Sequence, residues 1–167
     1  LGHAILCAER VVGDEPFAVL LADDFLTQQS ASAKSNVTND LINAFETTGQ
    51  TQLSVMRVPG ADISKYGVIV RGDAPGAVAG LVEKPSVEEA PSDMASIGRY
   101  ILTPDIFDVL RDLPAGSGGE IQLADAINIQ AQRGNVNSVH STALRFDCGS
   151  VDGFLAAISH VSNLRDS

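Results

Sequence analysis

Tryptophan is absent from this 167-residue chain, and aromatic residues make up only 5% of it. Any core must therefore be built from Val, Leu, Ile and Ala. Cysteine is scarce as well. Cys7 and Cys148 stand far apart in the sequence, which excludes a disulfide scaffold and a cysteine-based zinc site. They read as two reduced thiols. Basic residues are few: 11 Lys and Arg against 21 Asp and Glu give a net charge of −10. Nonspecific binding to DNA or RNA needs a basic face, so no nucleic-acid partner is expected. No apolar run approaches the ~20 residues that span a bilayer, so no membrane partner is expected either. No signal peptide is visible, although the first residue is Leu1 and not Met. P-loop and nucleophile-elbow motifs are also missing, so nothing favours a covalent intermediate over direct transfer.

What is present is an ordinary globular composition, 44% hydrophobic and 19% charged, in a chain long enough for one domain with its own core. Apolar residues at helical spacing (Ala4, Ile5, Ala8, Val11, Val12) predict a helix over 1–12. The continuous run Phe17–Ala22, bounded by Pro16 and by Asp23 and Asp24, predicts a fully buried strand of a parallel sheet. Gln28–Asn39 is polar and Ser-rich and reads as a surface loop. A helix follows over Leu41–Phe45, ended by Gly49. Strands are predicted at Leu53–Val58, at Tyr66–Val70 and Ala77–Val82 around a turn at 72–76, and at Ile97–Leu102. Lys84 precedes Pro85, which predicts an extended backbone at Lys84. Thr103-Pro104-Asp105 has the composition of a helix start, with Thr103 as its cap. A flexible loop at Gly116–Gly119, a helix over Glu120–Gln132, a strand within Val136–Phe146 and a final helix over Val151–Leu164 complete the pattern. Alternating strands and helices predict an α/β fold with a mixed, largely parallel sheet flanked by helices.

In open α/β sheets, ligands bind beyond the carboxyl ends of the strands. Three such exits carry chemistry: Asp23-Asp24, Glu83-Lys84-Pro85 and Asp147-Cys148-Gly149. Two carboxylates from separate strand ends offer the hard oxygen ligands that Mg²⁺ takes, and a lysine beside them would neutralise a phosphate. The constellation reads as a phosphate-handling site. Each residue alone is also an ordinary cap, turn or solvated surface residue, and Asp24 reads as a cap or supporting residue more than a ligand. Gly67 would allow backbone to approach a ligand closely. His3 and His140 lack partners at metal-ligand spacing.

Taken together and in order, several segments resemble the bacterial-type UTP–glucose-1-phosphate uridylyltransferases of the sugar-nucleotidyltransferase superfamily. They are Leu1–Ala4, Val12–Asp24, Lys65–Val68, Leu81–Pro85, Ala90–Ser92, Gly98–Leu102, Gly119–Leu123 and Asp147–Gly149. The resemblance implies a Rossmann-like nucleotidyltransferase fold in a single domain over 1–167. It implies Mg²⁺-assisted in-line transfer of the uridylyl group of UTP to glucose 1-phosphate, giving UDP-glucose and pyrophosphate. Carried over residue by residue, it implies Asp23 and Asp147 as metal ligands, Glu83 at the sugar hydroxyls, Lys84 at the sugar phosphate and Gly67 against the sugar. Gly2 and His3 fall beside the nucleotide base. Ala124 stands where the family often has Thr. The family's Gly-rich triphosphate loop is not in this sequence, which is expected to be the larger, C-terminal part of such an enzyme and inactive alone. A cytoplasmic homo-oligomer, dimer or tetramer, built through C-terminal helices is also implied. Two alternatives stand beside this reading: a sugar nucleotidyltransferase using another nucleotide such as dTTP, and a non-catalytic homologue that binds sugar phosphate.

Overall fold

The structure, a computed structural model, describes residues 1–27, 36–114, 116 and 119–165. The helices are α1 (Gly2–Val12), α2 (Val37–Thr48), α3 (Ile106–Asp112), α4 (Leu123–Gln132) and α5 (Val151–Arg165). The strands are β1 (Phe17–Leu20), β2 (Asp24–Thr27), β3 (Thr51–Arg57), β4 (Gly67–Arg71), β5 (Val78–Glu83), β6 (Met94–Leu102), β7 (Val136–His140) and β8 (Leu144–Asp147). Six strands form one sheet in the order β5-β4-β6-β3-β7, with β1 also paired to β6. β2 and β8 form a separate two-stranded sheet.

The α/β class and the flanking helices agree with the sequence pattern; the predicted strand direction does not. Among the described residues only β3 and β7 pair in parallel, and the other pairs are antiparallel. The long strand β6 runs against three neighbours. β3 takes one edge of it, while β1 (through 99–102) and β4 (at Ala95) share the other. The helical segment after the first strand is not a crossover between adjacent parallel strands. It joins β2, in the small sheet, to β3 in the large one. The run at Phe17 is accordingly not buried on both faces: β1 alternates half-buried and exposed residues, and Leu20 is 54% exposed. An apolar run of this length records composition without fixing how many faces are covered.

The main core gathers Ile5 of α1, Leu53 and Val55 of β3, Leu102 of β6, and Leu110 and Ile127 of α3 and α4. Leu53 and Leu110 are fully buried, and truncating such a leucine costs about 2–5 kcal/mol. α2 packs separately on β3, β6 and β7 through the buried Leu41. Its ends follow local rules: Asn36 accepts a hydrogen bond from Asn39 N at 2.9 Å, and Gly49 closes the helix at φ 67°. The predicted surface loop is corrected at its end: Val37, Thr38 and Asn39 form the first turn of α2, which starts four residues before the predicted Leu41 because Asn36 caps it. Residues 28–35 of that loop lie outside the described residues, as do Ser117 and Gly118 of the predicted Gly-rich loop.

Three further expectations are corrected. Helix α3 begins at Ile106, and Thr103 does not cap it. The Thr103 hydroxyl instead accepts from Gln130 Nε2 and lies 3.0 Å from Thr51 Oγ1, while Thr51 donates to Gln130 Oε1. This buried network satisfies three polar side chains and ties α4 to the large sheet. Helix α4 starts at Leu123, three residues later than predicted. The segment 136–146 holds two strands, β7 and β8, separated by a turn.

Candidate active site

Asp23 lies in the turn between β1 and β2, and Asp147 is the last residue of β8. The small sheet brings them together. Asp24 and Asp147 are register partners across β2 and β8, and Cys148 N donates to Asp23 O at 2.7 Å. Their carboxylates converge over Gly149. A Cβ added there would sit 3.1 Å from Asp147 Oδ1 and 3.5 Å from Asp23 Oδ2. Gly149 N already donates to Asp147 Oδ1, also at 3.1 Å, which fixes that carboxylate's direction.

Below the pair, Asp24 is 5% exposed and serves as a brace. Its Oδ2 accepts from Gly98 N at 2.7 Å, and its Oδ1 is ion-paired with Arg145. The approach to Gly98 is possible because a Cβ on that residue would stand 2.6 Å from the same oxygen. Arg99 bonds the carbonyls of Leu21 and Asp24 at 3.2 and 2.9 Å, which locks the exit from β1. Burial opposes the charge on Arg145, but the Asp24 carboxylate outweighs it and holds the guanidinium above its ordinary range.

These groups face a cavity of about 270 Å³ at the junction of the two sheets. Its polar wall carries Asp23, Asp24, Glu83 and Asp147, with Lys65 and Arg145 as cations; Tyr66, Gly67, Ser96, Tyr100 and Gln122 also line it. Leu81, Leu123, Ala124 and Ile127 supply an apolar floor. Gly67 and Glu83 are register partners at the ends of β4 and β5, and a Cβ on Gly67 would lie 3.1 Å from Glu83 Oε2. Four carboxylates against two cations repel an anionic ligand. The paired oxygens of Asp23 and Asp147, over a glycine without a side chain, are hard donors suited to a divalent cation that would reverse this balance.

The cavity thus brings together Asp23, Gly67, Glu83 and Asp147. Lys84 follows Glu83 but does not line the cavity. Its backbone is also not extended: φ is 45°, and its N–H donates to Tyr66 O at 3.0 Å. The chain turns out of β5 at this residue, in the left-handed region that is costly for a side chain. Gly2 and His3 lie outside the cavity lining as well. Gly2 is a packing glycine, whose Cβ would stand 2.7 Å from Ile121 O, and His3 is exposed beside Cys7. Arg145, Tyr66 and Tyr100 were not anticipated. A single Arg within an alternating strand reads as a solvated residue, and nothing local marks its distant partner.

The chain matches the family described as Nucleotidyl transferase over residues 1–163. It belongs to that family. It is 45% identical over 161 residues to a UTP–glucose-1-phosphate uridylyltransferase of Pseudomonas aeruginosa, covering 94% of this chain and 56% of that one. Among solved structures, an apo UDP-glucose pyrophosphorylase superposes with a TM-score of 0.90 at 40% identity, over 99% of this chain and 60% of that one. A UDP-glucose pyrophosphorylase complexed with UDP-glucose gives 0.88 at 38% identity, over 98% and 62%. The fold is therefore that of nucleotidyltransferases, and the chain spans little more than half the length of the relatives it matches. No helix among the described residues is long and apolar enough to cross a membrane.

Proposed function

We propose that this chain forms the sugar-phosphate and metal half of a UTP–glucose-1-phosphate uridylyltransferase, as one nucleotidyltransferase domain. The observation that carries this reading is the convergence of Asp23 and Asp147 over Gly149, beside Gly67 and Glu83, in a chain 45% identical to such an enzyme. In the reaction, a phosphate oxygen of glucose 1-phosphate attacks the α-phosphorus of UTP in line. The bond to the β-phosphate bridging oxygen breaks, and pyrophosphate leaves with that electron pair. The nucleophile is already ionised, so no general base is required.

Asp23 and Asp147 would hold Mg²⁺, which when bound neutralises negative charge on the phosphates. Glu83 accepts hydrogen bonds from sugar hydroxyls, and Gly67 admits the sugar against β4. Lys84, the residue after Glu83 at the end of β5, offsets the charge of the sugar phosphate. Positioning of two anions is the main catalytic task. Gly2 and His3 would lie beside the nucleotide base. Val151, Phe154, Leu155 and Ile158 are more than half exposed on α5, which supports self-association of a cytoplasmic protein through this helix. Titration with glucose 1-phosphate with and without Mg²⁺ tests the reading. Binding that requires the metal is expected, and metal-independent binding would refute it.

A further inference from the structure

Arg145 stands where the two halves of the cavity meet. One half carries Asp23 and Asp147; the other carries Gly67 and Glu83. The Arg145 guanidinium is ion-paired with Asp24, the neighbour of Asp23 and the register partner of Asp147. Through Nη1 it donates to Tyr66 Oη at 2.8 Å, and its Cζ lies 4.9 Å from the centroid of the Tyr66 ring. Tyr66 in turn precedes Gly67, and its carbonyl accepts from Lys84 N. One side chain, only 13% exposed, is thereby joined to the residues flanking both halves.

A planar guanidinium suits this task. It can present separate N–H groups to a carboxylate and a hydroxyl while stacking on an aromatic face, which an ammonium cannot do. A purely structural ion pair would need only Asp24. The second bond, to a tyrosine at the head of β4, carries no part of the β2–β8 pairing and links it to the β4–β5 hairpin.

We propose that Arg145 is a positioning residue that couples the divalent-cation end of the cavity to its sugar-phosphate end, with Tyr66 as the relay. Displacing Tyr66 shifts the guanidinium, and with it the carboxylate of Asp24 on which the turn at Asp23 rests. The inference depends on the assignment of this cavity to glucose 1-phosphate and a divalent cation.

The coupling is reciprocal and measurable: each ligand changes the other's affinity by one common factor. Mn²⁺ is titrated by calorimetry into the protein with and without saturating glucose 1-phosphate, for wild type, Arg145→Gln and Tyr66→Phe. The temperature is one at which circular dichroism shows all three folded. Tyr66→Phe keeps the ring and removes only the relay bond, so it decides the matter should Arg145→Gln not fold. The expected result is a coupling factor lowered at least about threefold in both variants, with Mn²⁺ affinity alone changed less than about twofold in Tyr66→Phe. A coupling factor that falls by less than this in Tyr66→Phe overturns the proposal. A wild-type protein that binds neither probe refutes the assignment of the cavity itself, which is a distinct outcome, and the proposal falls with it.

Discussion

Asp147 is the register partner of Asp24 across β2 and β8, and this pairing sets Asp147 beside Asp23, the residue before Asp24. The two acids are far apart in sequence, and the small sheet joins them. If they share a cation, neutralising either one removes half of its protein ligands. Asp23→Asn and Asp147→Asn should each lower Mg²⁺-dependent glucose 1-phosphate binding roughly a hundredfold, equal to about 2.7 kcal/mol. Asp23 sits in an exposed turn and Asp147 at the exposed end of β8, so thermal unfolding should move little. Calorimetry beside a melting curve reads both quantities.

Two glycines near these acids should respond in opposite ways. Gly98 is buried, and a Cβ there meets Asp24 Oδ2 at 2.6 Å and Leu21 Cβ at 2.7 Å. Gly98→Ala should cost about 1–3 kcal/mol of stability by overpacking. The methyl of Gly149→Ala would press on Asp147 Oδ1 at 3.1 Å and lie 3.5 Å from Asp23 Oδ2, both on exposed side chains that can give way. It should weaken Mn²⁺ binding with little change in urea midpoint. Equal effects of the two substitutions on stability would contradict this geometry.

Lys84 and Glu83 are adjacent but separable. A left-handed backbone costs a side chain about 1–2 kcal/mol, and glycine at φ 45° relieves that strain while loosening the unfolded chain by about 0.4–1 kcal/mol. Lys84→Gly should therefore leave stability within about 1 kcal/mol, while lowering affinity for glucose 1-phosphate and galactose 1-phosphate alike. Glu83→Ala should instead erase the difference between these two sugars. Competition binding with both sugar phosphates distinguishes the roles; identical losses in the two variants would dismiss the division of labour.

Tyr100, in the cavity wall and 8% exposed, carries a prediction about alkaline pH. Burial raises its hydroxyl above the ordinary value of 10.0. The folded protein therefore holds the proton more tightly than the unfolded chain does. Stability is undiminished below pH 10 and falls as pH rises above it, by up to about 1.4 kcal/mol per pH unit for one such group. Urea midpoints measured from pH 8 upward should show a steeper decline in wild type than in Tyr100→Phe.

The strand exits were legible in the sequence because an apolar run that stops at an acid marks a local event. Asp23 and Glu83 each follow such a run and Asp147 follows the predicted strand ending at Phe146, and the structure gathers all three into one cavity. The Gly49 stop and the helices α1 and α5 were legible for the same reason, since capping and periodicity act within a few residues; the first turn of α2, polar at Thr38 and Asn39, read as loop. Strand direction was not. Whether β1 pairs parallel or antiparallel depends on where β6 lies, and no residue within Phe17–Leu20 encodes that. Strand β2 was missed because Asp24–Thr27 is too short to show a period. Arg145 was missed because its meaning lies in Asp24 and Tyr66, which only the folded chain brings near. Lys84 shows the converse failure: the local rule for a residue before proline predicts an extended backbone, and the chain turns there at φ 45° instead.

One titration tests the cation site most directly: glucose 1-phosphate into this protein with and without Mg²⁺, for wild type and Asp147→Asn. Saturable binding that requires the metal in wild type, and is lost in Asp147→Asn, is the predicted result. Binding of equal strength without metal, or binding untouched by Asp147→Asn, would contradict the claim that Asp23 and Asp147 form the cation site of a sugar-phosphate pocket.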